Sequence, residues 1–312
     1  MSNKKLKMCF VTGAAGFIGS YCVNELLSQG YQVAGIDMMS LPQSIARAPD
    51  VFFQAAISID SLQNASAKYG LPISIIHCAG SGSVASSFSD PYVDYHANVT
   101  STIEVLEFVR RSNKSISVVI PSSAAVYGSV VESPLREDGQ TNPVSPYGVH
   151  KRMVEELAMY YGRFYKVSSA VIRLFSVYGP GLRKQILWDA CAKAAKGEYT
   201  FAGEGSEIRD FIHVSDAARL LVEAMRRAGP SCPIANGGTG IGTSISAMLE
   251  LLGDNWKSPL KPRFSGGERP GDPRSYIADI SIIQSWGFKP SITIENGLKD
   301  YMEWFTREIN YG

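Results

Sequence analysis

Short apolar runs separated by stretches of helical period recur through the first half of the chain. Met8 to Val11 is one such run, and it breaks into a glycine-rich turn, Thr12 to Gly19. Beyond the turn Ile18, Cys22, Val23, Leu26 and Leu27 recur at helical spacing, and Gly30 ends the helix. Gln32 to Asp37 has the apolar alternation and length of a strand. Strand, turn, helix and strand in about thirty residues make a βαβ unit. Further strands are predicted at Ile73 to His77, Ile116 to Ile120 and Ala170 to Phe175, and helices at Tyr92 to Val109 and Ser145 to Phe164. Near-continuous apolar strands alternating with helices predict an α/β fold, a Rossmann-type doubly wound parallel sheet covered on both faces.

From about Tyr178 the texture changes. Gly179-Pro180-Gly181 breaks the pattern, and glycine and proline clusters then space out helices predicted at Ile186 to Lys196, Ser215 to Arg227, Ser244 to Leu252 and Ile294 to Phe305. Residues 1–178 are therefore read as the sheet domain, with 207–229 returning to it. Residues 179–312 are read mainly as a smaller α/β domain at the carboxyl edge of the sheet, the two folding as one unit with a cleft.

Composition narrows the partners. Of 312 residues, 45% are hydrophobic and 19% charged, and Lys plus Arg number 30 against 29 for Asp plus Glu. A net charge of +1 gives no reason to expect nucleic acid or an anionic membrane as partner. The five cysteines are scattered and odd in number, which argues for free thiols in a reducing compartment, and a cytoplasmic location is expected. The apolar run after the basic start is too short for a signal peptide or a membrane span. No histidine or cysteine spacing suggests a metal.

Gly13-x-x-Gly16-x-x-Gly19 lies between a predicted strand and helix, the context in which such glycines let a backbone approach a pyrophosphate at a helix N-terminus. Asp37 ends the next strand 18 residues after Gly19, where a carboxylate can hydrogen-bond the adenosine ribose. It repels a 2′-phosphate, and Met38 and Met39 offer no cation, so NAD is expected over NADP. In Ser145-Pro146-Tyr147-Gly148-Val149-His150-Lys151, Ser145 can cap a helix whose first position suits Pro146. Tyr147 and Lys151 then share a face one turn apart. The ammonium and the helix N-terminus are expected to push Tyr147 toward phenolate, a general base working near neutral pH.

These motifs, with their order and spacing, resemble the extended short-chain dehydrogenase/reductases, specifically the nucleotide-sugar epimerase/dehydratase group. The matching pieces are TGAAGFIGS (Thr12 to Ser20), HCAG (His77 to Gly80), PSSAAVYG (Pro121 to Gly128), SPYGVHK (Ser145 to Lys151), RLFSVYGPG (Arg173 to Gly181), EIRDFIHVSDAA (Glu207 to Ala218) and ERPGDPR (Glu268 to Arg274). They span nearly the whole chain. The resemblance implies NAD held by Gly13, Gly16, Phe17, Ile18, Gly19, Asp37, Ala79 and Gly80, with Tyr147 and Lys151 at the nicotinamide ribose. It implies Ser123, Tyr147 and Lys151 as catalytic residues, Tyr147 being the acid/base. It also implies a nucleotide-diphosphate sugar bound by Ser123, Ser176, Arg209 and Arg269, Ser176 standing where the family commonly has Asn. The pair that usually reads adenine aligns with Ala56-Ile57, with Asp60 displaced from it. A homodimer through the two long helices is implied as well.

The residues after Ser123 narrow the reaction. Family dehydratases carry an Asp-Glu pair there, and decarboxylases a Glu at the second place; this chain has Ala124 and Ala125. Epimerisation at C4 through a transient 4-keto sugar and reduction of a 4-keto nucleotide sugar remain. Family reductases often favour NADPH and lack the strand-end acid, so Asp37 favours the epimerase. A non-catalytic sensor on the same fold has no need of Ser123, Tyr147 and Lys151 together.

Overall fold

A computed structural model describes residues 7–42, 47–129, 133–266 and 275–311. In chain order, β1 (Met8–Thr12), α1 (Phe17–Ser28), β2 (Gln32–Asp37), β3 (Val51–Gln54), α2 (Ile59–Tyr69) and β4 (Ser74–His77) come first. Next are α3 (Val84–Ser89), α4 (Pro91–Tyr95), α5 (Ser101–Ser112), β5 (Ser117–Ser123), α6 (Pro146–Tyr165), β6 (Ser168–Leu174) and β7 (Ser176–Tyr178). Then follow α7 (Gln185–Ala195), β8 (Thr200–Phe201), β9 (Ile208–His213), α8 (Val214–Ala224), β10 (Ile234–Gly237), β11 (Gly242–Ser244) and α9 (Ile245–Asp254). The remaining elements are β12 (Arg263–Phe264), β13 (Ser275–Tyr276), α10 (Ser281–Ser285) and α11 (Ile294–Tyr311).

Seven strands form one sheet in the order β10-β6-β5-β4-β1-β2-β3. The pairs β1–β2, β1–β4, β2–β3 and β4–β5 are all parallel. Strands of a two-faced sheet must be apolar on both sides, and these are. Phe10, Ile36, Ile75 and Ile120 pack with Leu62, Leu106 and Val154 of α2, α5 and α6. Their neighbours Val11, Val33, Ile76 and Val119, pointing to the opposite face, are fully buried too. The strand order reverses between β1 and β4. In open α/β sheets the crevice at such a reversal, beyond the carboxyl ends of the strands, is where ligands bind.

The chain divides into two compact units, the first holding the described residues of Met1–Gly128, Thr141–Arg173 and Ala218–Ala235. The second takes those of Ser129–Gln140, Leu174–Ala217 and Asn236–Gly312. This division departs from the expected boundaries: residues 174–178 fall in the second unit and 230–235 in the first, and two further departures have a pairing reason. Residues 129–140 fall in the second unit, where Leu135 exchanges backbone hydrogen bonds with Ile277 and Asp279. The return to the first unit starts at Ala218, not at 207, because β9 pairs with β7, β11 and β13 of the second.

The helix expected over Tyr92 to Val109 is α4 and α5 joined by a π-helical turn, His96–Thr100. Side chains drawn onto helix carbonyls accompany the wider turn: Asn98 donates to Asp94 O, Ser101 to Ala97 O and Thr102 to Asn98 O. No helix among the described residues is long and apolar enough to cross a membrane.

Candidate active site

The turn after β1 sits at the strand-order reversal and is built by close backbone approach. Gly13 N donates to Ile36 O at 2.8 Å and Gly16 N to Gly13 O at 3.0 Å. Gly13 has φ +69°, and a Cβ there would lie 2.6 Å from the Ala79 nitrogen. A Cβ on Gly19 would lie 2.0 Å from Gly13 O. Only glycine fits either place. Phe17, Ile18 and Gly19 form the first turn of α1, whose N-cap, Gly16, offers no side chain and whose first turn holds no acid. An uncapped helix start of this kind suits an anionic pyrophosphate.

Asp37, at the end of β2, is braced by two amides: Oδ2 accepts from Ala15 N at 3.0 Å and Oδ1 from Met39 N at 2.9 Å. A carboxylate has about four acceptor sites, so two remain for ribose hydroxyls. The turn, the bare helix start and this acid together fit NAD. Gly80 completes the cradle from β4, where a Cβ would come within 2.8 Å of Asn98 Oδ1. Asp60, by contrast, lies in the first turn of α2, behind the Ser58 cap.

A hydrogen-bond chain that sequence reading missed supports this turn from below. Thr12 Oγ1 lies 2.7 Å from His77 Nδ1, and His77 Nε2 lies 3.2 Å from Ser101 Oγ. Ser101 donates to Ala97 O at 2.5 Å, so its oxygen accepts from His77 Nε2–H. His77 Nδ1 then accepts from Thr12, whose oxygen accepts from Ala79 N at 3.3 Å. Burial, with help from the nearby Lys151 charge, lowers the His77 pKa to about 3, so the ring is neutral, as the chain requires. Thr12 and His77 stand 65 residues apart, and only the pairing of β1 with β4 joins them.

Ser123 ends β5, and Tyr147 and Lys151 lie on the first turns of α6. The helix start is fully furnished: Ser145 Oγ accepts from Gly148 N, Ser87 Oγ accepts from Tyr147 N, each at 3.1 Å, and Pro146 has no N–H to satisfy. Gly148 lets α6 press against the turn after Ser123; a Cβ there would lie 2.6 Å from Ala125 O. That contact brings Tyr147 near enough to Ser123 for the hydroxyl to lower its pKa. Lys151 Nζ donates to Pro121 O at 3.1 Å and stands 5.8 Å from the Tyr147 ring centre.

The electrostatics correct one expectation. Burial pushes the Tyr147 pKa up to about 12, outweighing the lowering by Ser123. Burial also pulls Lys151 down to about 8, against the raising influence of Cys78, Asp94 and Glu155. The helical neighbours favour a phenolate, but desolvation of a buried phenol opposes it more strongly. In the chain by itself Tyr147 is therefore protonated at neutral pH.

A second missed feature fastens α6 to the sheet. Glu155, one turn beyond Lys151, receives Ser122 Oγ at 2.6 Å and the Arg173 guanidinium at 2.8 Å. Arg173 also donates to Tyr127 Oη at 3.0 Å. All four side chains are buried, so β5, α6 and β6 are tied through one satisfied network. Ala124 and Ala125 place no carboxyl group after Ser123.

In the second unit, Ser176 of β7 is in register with Phe211 of β9, the strand that also carries Arg209. Arg209 Nη1 donates to Ile208 O at 2.9 Å, and its guanidinium lies 5.7 Å from the Tyr276 ring centre. The adjacent Asp210 is fully buried and accepts from Thr239, Gly240 and Ala278. Arg269 lies outside the described residues. The first unit thus gathers Gly13, Gly16, Phe17, Ile18, Gly19, Asp37, Ala79, Gly80, Ser123, Tyr147 and Lys151, and the second places Ser176 and Arg209 on neighbouring strands.

Known proteins share this plan. Residues 9–236 match the sequence model of the NAD dependent epimerase/dehydratase family. The UDP-glucose 4-epimerase of Mycolicibacterium smegmatis is 31% identical over 308 residues, covering 95% of this chain and 97% of that protein. The structure of UDP-glucose 4-epimerase from Thermotoga maritima with UDP-glucose superposes with a TM-score of 0.87 at 28% identity, over 97% of this chain and 99% of that one. UDP-N-acetylglucosamine 4-epimerase from Methanobrevibacter ruminantium, in complex with UDP-N-acetylmuramic acid, gives 0.86 at 26% identity, over 97% and 99%. The glycine turn, the braced strand-end acid and the Ser–Tyr–Lys constellation belong with those matches: the chain is a member of the NAD dependent epimerase/dehydratase family, an NAD-dependent enzyme of its epimerase group.

Proposed function

We propose that the protein epimerises a UDP-sugar at C4 through a transient 4-keto sugar, with Tyr147 as acid/base. The observation that carries this reading is the placing of Ser123 where its hydroxyl lowers the proton affinity of Tyr147, with Lys151 5.8 Å from the Tyr147 ring centre, followed by Ala124 and Ala125 where dehydration needs carboxyl groups. Bound NAD supplies the hydride acceptor and donor and brings a positive charge to the site. Tyr147 takes the C4 hydroxyl proton as the carbinol is oxidised and returns it when the ketone is reduced from the other face. Ser123, with a single hydroxyl proton, donates to the Tyr147 phenolate before the sugar proton moves and to the sugar oxygen once it is a ketone. Lys151, kept on α6 one turn away, favours the negative charge on Tyr147 and binds the nicotinamide ribose.

Arg209 and Arg269 bind the diphosphate, for which a guanidinium fork is suited. Ser176 touches the sugar and, being shorter than Asn, leaves room for a larger substituent or a water. The uridine base is the reading supported by the relatives named above. A homodimer through α4, α5 and α6 is part of the proposal, since Tyr92, Val93, Met153, Tyr160 and Phe164 leave apolar surface exposed on those helices. The five free thiols fit a cytoplasmic location.

The test is incubation of the purified protein with UDP-glucose, UDP-N-acetylglucosamine and UDP-glucuronate, and with GDP- and dTDP-sugars, followed by NMR. New anomeric signals from a UDP-sugar without added cofactor are expected. Turnover only of a keto sugar, and only with added NADH or NADPH, would replace the epimerase by a reductase.

A further inference from the structure

A buried pair lies against the helix turn that carries Tyr147 and Lys151, and the chemistry above makes no use of it. His150 Nδ1 and Asp94 Oδ2 are 2.7 Å apart, with the two side chains 10% and 3% exposed. Asp94 stands on α4 and His150 on α6, 56 residues apart in sequence. The other Asp94 oxygen, Oδ1, is buried with no hydrogen-bond partner among the described residues. Tyr95 closes the pair edge-on, with ring centres 5.5 Å apart.

A buried acceptor left without a donor is destabilising, and more so when it is charged. A neutral residue of the same size avoids much of that cost, so the carboxylate points to a use for its charge. The groups within its reach identify the use. Asp94 raises the proton affinity of both Tyr147 and Lys151. On Tyr147 it acts in the same sense as burial, and on Lys151 it opposes burial.

We propose that Asp94, oriented by His150, is a positioning residue for the active site, whose buried negative charge acts on Lys151 and Tyr147. The kinetic side of this inference rests on the proposed role of Tyr147. The titratable groups on which the Asp94 charge bears are Tyr147 and Lys151 of α6, and Tyr95 of α4 packs edge-on against His150. Lys151 is subject in addition to Cys78, which follows β4, and to Glu155. His150 supplies the one donor that the carboxylate has among the described residues.

The test follows Lys151 directly in the NAD-loaded full chain. The carbon-13 Cε resonance of Lys151, identified by its loss in Lys151→Arg, is titrated with pH in the wild type, Asp94→Asn and Asp94→Glu. Asp94→Asn is expected to lower the midpoint by about one pH unit, the size of shift a single charge at this range produces. Asp94→Glu, which keeps the charge, is expected to stay near the wild type. A purely structural role predicts the reverse, since the longer acid disturbs a buried site more than the isosteric amide. If Asp94→Asn does not fold, Asp94→Ser, also uncharged, is read the same way. In turnover of UDP-glucose, or whichever UDP-sugar reacts, both limbs of the pH profile should move to lower pH in the uncharged variant.

An unchanged Lys151 midpoint in the folded, uncharged variant overturns the proposal. The midpoint requires no turnover. A wild type that epimerises nothing therefore sinks the proposed function, while the Lys151 titration still decides the role of Asp94.

Discussion

Two helix starts form the two halves of this site in the first unit, and they are finished in opposite ways. The start of α1 is bare: Gly16 stands at the cap, no side chain accepts from its amides and no acid lies in its first turn. The start of α6 is closed by Pro146, Ser145 and Ser87, which leave its first N–H groups absent or satisfied. A bare start presents its backbone to an anion, whereas a closed one cannot, and instead holds side chains in place. The first suits a cofactor phosphate and the second suits reacting groups, and the difference lies in capping residues more than in helix length.

The largest effect should come from the side chains of the closed start. Tyr147→Phe should reduce turnover by roughly 10²–10⁴-fold while leaving the NAD that copurifies unchanged. Wild-type rates in that variant would remove Tyr147 from the mechanism. The bare start should fail in the other way. Gly13→Ala forces a Cβ into the Ala79 backbone at a positive φ, at about 1–3 kcal/mol from strain alone. That protein should be purified with little NAD, measured as nucleotide released on denaturation. Retention of full NAD would mean the turn is less committed than its geometry implies.

Ser145→Ala should have a smaller effect, about 1 kcal/mol of stability in a urea titration, with NAD content unchanged. Loss of NAD in Ser145→Ala would break the division of labour between the two helices. At neutral pH the smallest effect comes from titration, but it separates the two ends by pH window. His77, beneath the bare start, is held neutral in the fold down to about 3, against 6.5 ordinarily. As pH falls from 6.5 toward 3 the unfolded chain takes the proton first, so stability falls. Lys151, on the closed start, has a folded pKa of about 8 against 10.5. Between 8 and 10.5 the unfolded chain holds the extra proton, so this group contributes stability that grows as pH rises. Urea midpoints across pH check both slopes, each rising with pH in its own window, and a fall in stability with rising pH in either window would contradict them.

The difference between the two starts also explains what could be read from sequence. Gly13, Gly16 and Gly19 and the Ser145–Lys151 stretch sit at element boundaries, where local spacing alone defines their places. Ser87, Thr12, His77, Asp94 and Glu155 reach their partners only through tertiary packing, 60 residues apart in the case of Ser87 and Tyr147. The same blindness reversed the expectation for Tyr147: its helical neighbours are legible, but its desolvation is not. In the second unit, short strands paired across long intervals leave Ser176 and Arg209 without a local signature, and the family motif alone pointed to them. Only the 218–229 part of the expected return joins the first unit, for a related reason: β9 reads as an apolar strand and nothing local says which sheet it joins.

The two amides that brace Asp37 have a consequence for the thermodynamics of cofactor capture. Its carboxylate is immobilised by Ala15 and Met39 before any ribose arrives, so its conformational entropy is surrendered during folding and not on binding. One amide belongs to the turn after β1 and the other to the residues after β2, so the same two bonds also tie those two segments to the carboxylate. A site ordered in advance loses little further freedom when the dinucleotide enters, which favours slow release and a cofactor that stays through many catalytic cycles. The proposed mechanism, in which the same sugar is oxidised and re-reduced without exchange of the nicotinamide, needs that retention.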